Sequence, residues 1–109
     1  MSPTRHGSLG EFEHLVLLAL MRHPDGVFGA GIGRELEERA GRRVSRGALY
    51  ASLDRLEQKG FLRWSLEDAG PERGGHPRRR FAITRVGQRA VRDYQRAIHN
   101  LTADVEGIL

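Results

Sequence analysis

Between Ser45 and Gly60 the sequence SRGALYASLDRLEQKG spells one helix with both ends marked, and directly after Gly60 the apolar period falls to two. Ser45 is an N-cap residue, because its hydroxyl can accept a free backbone N–H of the first turn. Leu49, Leu53 and Leu56 fall on one face. Gly60 supplies the left-handed residue that ends helices, and Phe61 follows where it packs back on Leu56. In FLRWSLED, Leu62, Trp64 and Leu66 alternate with Arg63, Ser65 and Glu67; after the Gly- and Pro-rich DAGPERGGHP, RRRFAIT alternates again. Phe81 and Ile83 point inward, Arg80 and Ala82 outward. Two strands around such a loop are a hairpin. A hairpin laid directly after a helix is a wing, with Arg78, Arg79 and Arg80 at its returning base.

The chain before this helix reads as two more. Ser8 and Glu11 have capping-box spacing, and LGEFEHLVLLALMRH runs from there to Pro24. Leu9, Phe12, Leu15, Val16, Leu17, Leu18, Ala19, Leu20 and Met21 are too many for one stripe. A helix apolar nearly all round needs cover on more than one side, and a partner subunit is the expected second cover. Pro24-Asp25-Gly26 is a turn. Val27 and Phe28 lead into a short helix over Gly29–Ala40 that buries Ile32 and Leu36. Gly41 ends it, and only Arg42, Arg43 and Val44 separate it from the Ser45 cap, which gives a helix-turn-helix pattern. After the wing, Thr84 caps a last helix. Val91, Tyr94, Ile98, Leu101, Val105 and Ile108 follow at heptad a/d spacing. That seam is too short to stand alone. It predicts a homodimer in which these residues meet Leu9, Phe12, Leu15 and Val16 of the first helix; the other arrangement packs both helices within one subunit. The expected fold is mainly α with a two-stranded β-hairpin: three helices, two strands and a fourth helix in a winged helix-turn-helix. Residues 1–7 are expected to be a disordered tail, 8–84 the winged unit and 85–109 the dimerisation helix.

Charge says what such a fold is for. The chain carries Lys+Arg 18 against Asp+Glu 14, and the excess lies in the middle. Arg42 to Arg80 holds ten basic and five acidic residues, whereas Met1 to Gly41 is net acidic. Positive charge clustered on one helix and its wing fits a polyanion; a merely basic soluble surface is the other reading. With no cysteine there is neither a disulfide scaffold nor a thiolate metal site. The five histidines show no ligand spacing, so no metal or cofactor is expected. No nucleophile has a base beside it, which argues against an enzyme. No stretch resembles a signal peptide or a membrane span, and the expected location is the cytoplasm.

The face of the Ser45–Gly60 helix opposite its leucines carries the candidate site. Gly47 and Ala51 have little bulk, and Arg46 and Tyr50 flank them. Such a face lets the backbone lie close to bases, with Arg46 placed for a guanine. Tyr50 is either a boundary residue or a phosphate contact through its hydroxyl; its small and basic neighbours favour the second. Asp54 would repel phosphates and limit insertion to the first half. Trp64 has two roles open: core at the base of the wing, or an aromatic wall for a planar effector. GAGIG at Gly29–Gly33 lacks phosphate-loop spacing and is better read as glycines that let the helix approach its neighbours.

LGEFEHLVLLAL, Phe28-Gly29, GALYASLDRLEQKGFL and RRRFAITRVGQRAV together resemble the PadR family of bacterial winged-helix transcription regulators. The single last helix is similar to its compact branch. The resemblance implies a dimeric, operator-binding repressor. It implies that Ser45, Arg46, Gly47 and Tyr50 face DNA and that Gly75, Pro77, Arg78 and Arg79 form the wing contact. Relatives often have Pro after the strand-ending Thr, where this chain has Arg85-Val86. The expected partners are double-stranded operator DNA, a second copy and a small aromatic effector. The expected DNA-binding set is thus Ser45, Arg46, Gly47, Tyr50, Ala51, Gly75, Pro77, Arg78, Arg79 and Arg80. The rival is a small-molecule-sensing or protein-interaction module that binds DNA incidentally.

Overall fold

The computed structural model describes residues 8–68 and 76–108. The expected tail, 1–7, and Gly75 in the wing loop lie outside them. The elements are α1 (Glu11–Met21), β1 (Val27–Phe28), α2 (Gly29–Ala40), α3 (Arg46–Gln58), β2 (Leu62–Glu67), β3 (Arg78–Ile83) and α4 (Arg85–Thr102), with a final 3-10 turn at Glu106–Ile108.

Helix α1 is the centre of the molecule. It touches α2, α3, α4 and β3. Val16, Leu17 and Leu20 have no exposed surface and pack with Ile32, Leu36, Leu49, Leu53, Leu56, Phe61, Leu62, Phe81 and Val91. The apolar excess of α1 is therefore largely covered inside one chain. Val16 is core and offers nothing to a partner, contrary to its expected place at a dimer interface. Leu9, Phe12, Leu15 and Leu18 are only partly covered.

The start of α1 also departs from the expected cap. Gly10, not Ser8, is the N-cap, and the Glu13 carboxylate accepts the Gly10 N–H at 2.9 Å. Glu13 is buried and receives the Lys59 ammonium at 2.9 and 3.0 Å. Lys59 also donates to the Ser8 carbonyl at 2.8 Å. The end of α3 is thus tied to the start of α1. Burial works against the Glu13 charge, but the Gly10 N–H and Lys59 outweigh it and hold its carboxyl below the ordinary 4.5. A carboxyl with a lowered folded pKa stabilises fully above its unfolded value, and that contribution disappears as pH falls through the folded value. Glu13→Gln is accordingly expected to flatten the acid side of the stability curve. Thermal melts between about pH 6 and about pH 3, on either side of that ordinary value, check this: wild type should lose its lead over the variant as pH drops.

The sheet has three strands, not the expected two. Its order is β1-β3-β2, all antiparallel, with Val27 opposite Phe81 and Trp64 opposite Phe81 on the other side. Val27 and Phe28 leave the Pro24–Gly26 turn as an extended pair before α2 begins. A two-residue strand has no period to read, and its partner lies more than fifty residues away in the chain. Gly31 makes room for that strand, since a Cβ there would sit 2.6 Å from Val27 Cγ2.

The junctions on either side of the wing follow local chemistry. Ser45 Oγ accepts Ala48 N–H at 3.1 Å. Gly60 is left-handed (φ 81°), and Phe61 N–H reaches the Leu56 carbonyl at 2.9 Å. Thr84 accepts Gly87 N–H at 3.0 Å and donates to the Gly60 carbonyl at 2.7 Å. Helix α4 starts at Arg85 directly after that cap, so the absent Pro does not shift it.

Helix α4 uses its first half within the chain. Val91 is buried, and the Tyr94 ring stacks on His14 of α1 at 4.0 Å. Ile98 and Leu101 are 42% and 80% exposed. The helix then stops at Thr102, and Asp104 turns with φ 70°. Val105 and Ile108 therefore lie off the helix, and the expected heptad seam is interrupted after Leu101.

Candidate nucleic-acid interface

Three buried leucines, Leu49, Leu53 and Leu56, fix α3 on the core. They leave Ser45, Arg46, Gly47, Ala51 and Asp54 exposed on the other side. No side chain comes within 4 Å of where a Gly47 Cβ would be. The slim face expected from the sequence is thus present and unobstructed. Among the described residues Arg46 has no carboxylate partner; its guanidinium carbon lies 5.1 Å from the centre of the Tyr50 ring.

Tyr50 joins this face to the rest of the molecule. Its ring is half-buried, edge-on to Phe81 at 6.1 Å. Its hydroxyl lies against Gly29, where an added Cβ would be 2.2 Å from the phenolic oxygen. The hydroxyl therefore sits at the N-terminus of α2, whose first N–H groups carry partial positive charge. The two roles read from the sequence meet here: the ring is a boundary residue, and the hydroxyl is at the rim beside a helix end that favours anions. Gly29 is needed because Tyr50 occupies the space a side chain would fill.

The three wing arginines do not form one basic edge. Period two sends Arg79 to one face of the sheet and Arg78 and Arg80 to the other. Arg80 is paired with Glu67 and donates to the Gly26 carbonyl at 3.2 Å. The hydrogen bond that Arg80 Nε donates to the Glu67 carboxylate holds that carboxyl below its ordinary range. Arg80 is thus a brace between β1, β2 and β3 rather than the free cation expected. Arg78 lies over the Phe28 ring at 3.6 Å and has no ion pair among the described residues. Arg79 turns toward α3: Nη1 is 3.3 Å from Asp54 Oδ1, and its guanidinium carbon is 5.2, 5.0 and 5.4 Å from the Tyr50, Trp64 and Phe81 ring centres. Pro77 is exposed at the start of β3. Trp64 is half-buried across from Phe81 with its indole N–H unpartnered.

Asp54, expected from the sequence to act as a repelling charge, is ion-paired with Arg79, a contact the sequence expectation did not include. The signal was available, because alternation already placed Arg79 on the Phe81 side. Among the described residues no group of His, Asp or Glu is arranged to hold a metal, and no helix is long and apolar enough to cross a membrane.

A family model described as the transcriptional regulator PadR-like family matches residues 16–93, from the middle of α1 into α4. No curated protein matches the chain. Among solved structures, the chain is similar to a PadR-like transcription factor from Bacteroides fragilis, with 24% identity over 90% of this chain and 89% of that one and a TM-score of 0.74. It is similar to a PadR family transcriptional regulator from Eggerthella lenta at 25% identity, 90% and 85% coverage and a TM-score of 0.70. Bacillus subtilis PadR in complex with operator DNA shares the fold at 17% identity, 77% and 46% coverage and a TM-score of 0.67.

Proposed function

The chain belongs to the PadR-like family of transcriptional regulators, and from that premise we propose that it is a homodimeric repressor of a pseudo-palindromic operator. The observation that carries the reading is the exposed face of α3. Arg46, Gly47 and Ala51 are exposed, with open space over Gly47, while three leucines hold the helix from behind. Such a face enters the major groove far enough for Arg46 to make paired hydrogen bonds to a guanine edge. Ser45 and the Tyr50 hydroxyl lie where backbone phosphates flank the groove, and they set register rather than sequence. Pro77 and Arg78 bring the wing to the neighbouring backbone, whose attraction falls steeply with salt.

The dimer reading rests on apolar surface that one chain leaves open: Ile98, Leu101 and Ile108 exposed, with Leu9, Phe12 and Leu15 of α1 partly covered. A two-fold pair would place two α3 helices on half-sites about one helical turn apart. Occupying such a site within a promoter blocks transcription.

Footprinting on the DNA upstream of the gene tests the proposal, and a protected, two-fold sequence is expected. Weak protection without sequence preference would favour the sensing or interaction module instead. Arg46→Ala is expected to cost about 1–3 kcal/mol of operator binding and to relax preference at one position of each half-site. A titration with unchanged affinity and preference would remove Arg46 from the reading surface.

A further inference from the structure

We propose that Arg79 is a positioning residue that locks the wing to α3 through Asp54, and that it does not contact DNA. The proposal deepens the DNA-binding reading above. Of the three arginines of β3, Arg79 is the one on the α3 side of the sheet. Its side chain is 27% exposed, and its planar head lies among Tyr50, Trp64 and Phe81 while Nη1 meets Asp54. Those contacts bridge β2, β3 and α3 at one point. The base of the wing already meets α3 through the Gly60 turn, the shared core and the Tyr50–Phe81 ring contact, and the Arg79–Asp54 pair adds a polar attachment beside them. The angle between wing and reading helix then depends in part on an ion pair and on the guanidinium held among three rings.

Two consequences separate this role from a phosphate contact. The first concerns Asp54. If its charge only repelled DNA, Asp54→Asn would tighten binding. As the anchor of Arg79, its loss weakens binding, about two- to five-fold for a partly exposed pair. The second concerns salt. Removing a phosphate contact lowers the slope of log K against log salt by about 0.9. Arg79→Ala is expected to lower affinity with the slope unchanged, whereas Arg78→Ala lowers the slope. Arg79→Lys keeps the charge but loses the flat fork that the rings and the carboxylate hold, so it behaves like Arg79→Ala.

Trp64 reports on the contact without DNA, because it is the only tryptophan and lies 5.0 Å from Arg79. The experiment combines Trp64 emission of the free protein with operator titrations across salt for wild type, D54N, R79A, R79K and R78A. Circular dichroism melts confirm that each is folded. Expected are one common shift in Trp64 emission for D54N, R79A and R79K, weakened binding for all three, and a wild-type slope. The proposal is overturned if R79A lowers the slope by about one unit while R79K restores it, or if D54N tightens binding. If no protein binds the operator, the emission arm still tests the lock: unchanged Trp64 emission in D54N and R79A refutes it, and the common shift upholds it while the DNA-binding reading falls.

Discussion

Gly87→Ala should cost about 3 kcal/mol and lower the melting temperature by about 12–20 °C. Gly87 is buried in the first turn of α4, where the helix crosses the strand leaving Gly60. A Cβ there would be 2.0 Å from the Phe61 carbonyl oxygen and 2.8 Å from Ile83 Cγ1. The first obstacle is backbone, so it does not move aside as a side-chain tip would. The same carbonyl accepts Thr84 N–H at 3.1 Å, and the Thr84 hydroxyl is bonded to Gly60 and Gly87. Pushing α4 away therefore opens the cap, the stop of α3 and the base of the wing together. Gly47→Ala is the matched control. Its Cβ would meet nothing within 4 Å, and its helix gains from losing a glycine, by about 0.5–1 kcal/mol. Thermal melts should rank Gly47→Ala above wild type and Gly87→Ala far below it. If the two variants melt alike, the close contact between α4 and Phe61 is wrong. Operator binding adds a second reading of the control. Its added methyl lies on the face proposed to approach the bases, so Gly47→Ala should be the more stable protein and the poorer binder.

Where the chain writes its structure in local chemistry, the sequence is easy to read. Ser45, Gly60 and Phe61 act through neighbours three to five residues away, as Thr84 does in capping α4 at Gly87, and each has the role its residue type implies. The leucine stripe of α3 and its bare opposite face follow from the same short-range period. Features that depend on distant partners are not legible in this way. β1 is two residues long and exists because Phe81 and Arg80 of β3 accept it. Glu13 looks like one more acidic residue of a first turn until Lys59 arrives from the end of α3. The cover of α1 comes from four elements at once, which a count of apolar residues cannot distinguish from a partner subunit. The end of α4 is hidden for another reason. Neither Gly nor Pro marks it; the chain leaves the helix at Ala103, after Thr102 turns its hydroxyl back on the Ile98 carbonyl at 2.9 Å. The heptad pattern runs on through a turn that is no longer helical. The wing arginines are a different case, because alternation separates them and only their adjacency in sequence suggested a common edge. Charge runs on strands need sorting by face before they are counted as a patch.

Leu101→Glu is expected to convert the protein to a monomer and to weaken operator binding by about 100-fold or more, the scale of avidity that joined half-sites supply. Val91 and Tyr94 are occupied within the chain, one in the core and one on His14. Val86 and Ala90 also pack on the core. The large apolar residues of α4 left over are Ile98 and Leu101, one turn apart on the exposed end of the helix and followed by Thr102, its last residue. Leu101 at 80% exposure contributes almost nothing to the stability of one chain. Burying a leucine gains about 1.5–3 kcal/mol per copy, and a two-fold interface contains it twice. A carboxylate in its place gives up that gain and must be stripped of water as well. Sedimentation should therefore show wild type near twice the chain mass and the variant near one, and the variant should still melt cooperatively, at a temperature that no longer depends on protein concentration. Each variant monomer still carries an intact α3, so single half-site binding should survive at its own weak level. A variant that remains dimeric would move the interface away from the end of α4 and onto the partly covered leucines of α1. A variant that becomes monomeric yet binds the full operator as tightly as wild type would separate DNA reading from dimerisation altogether.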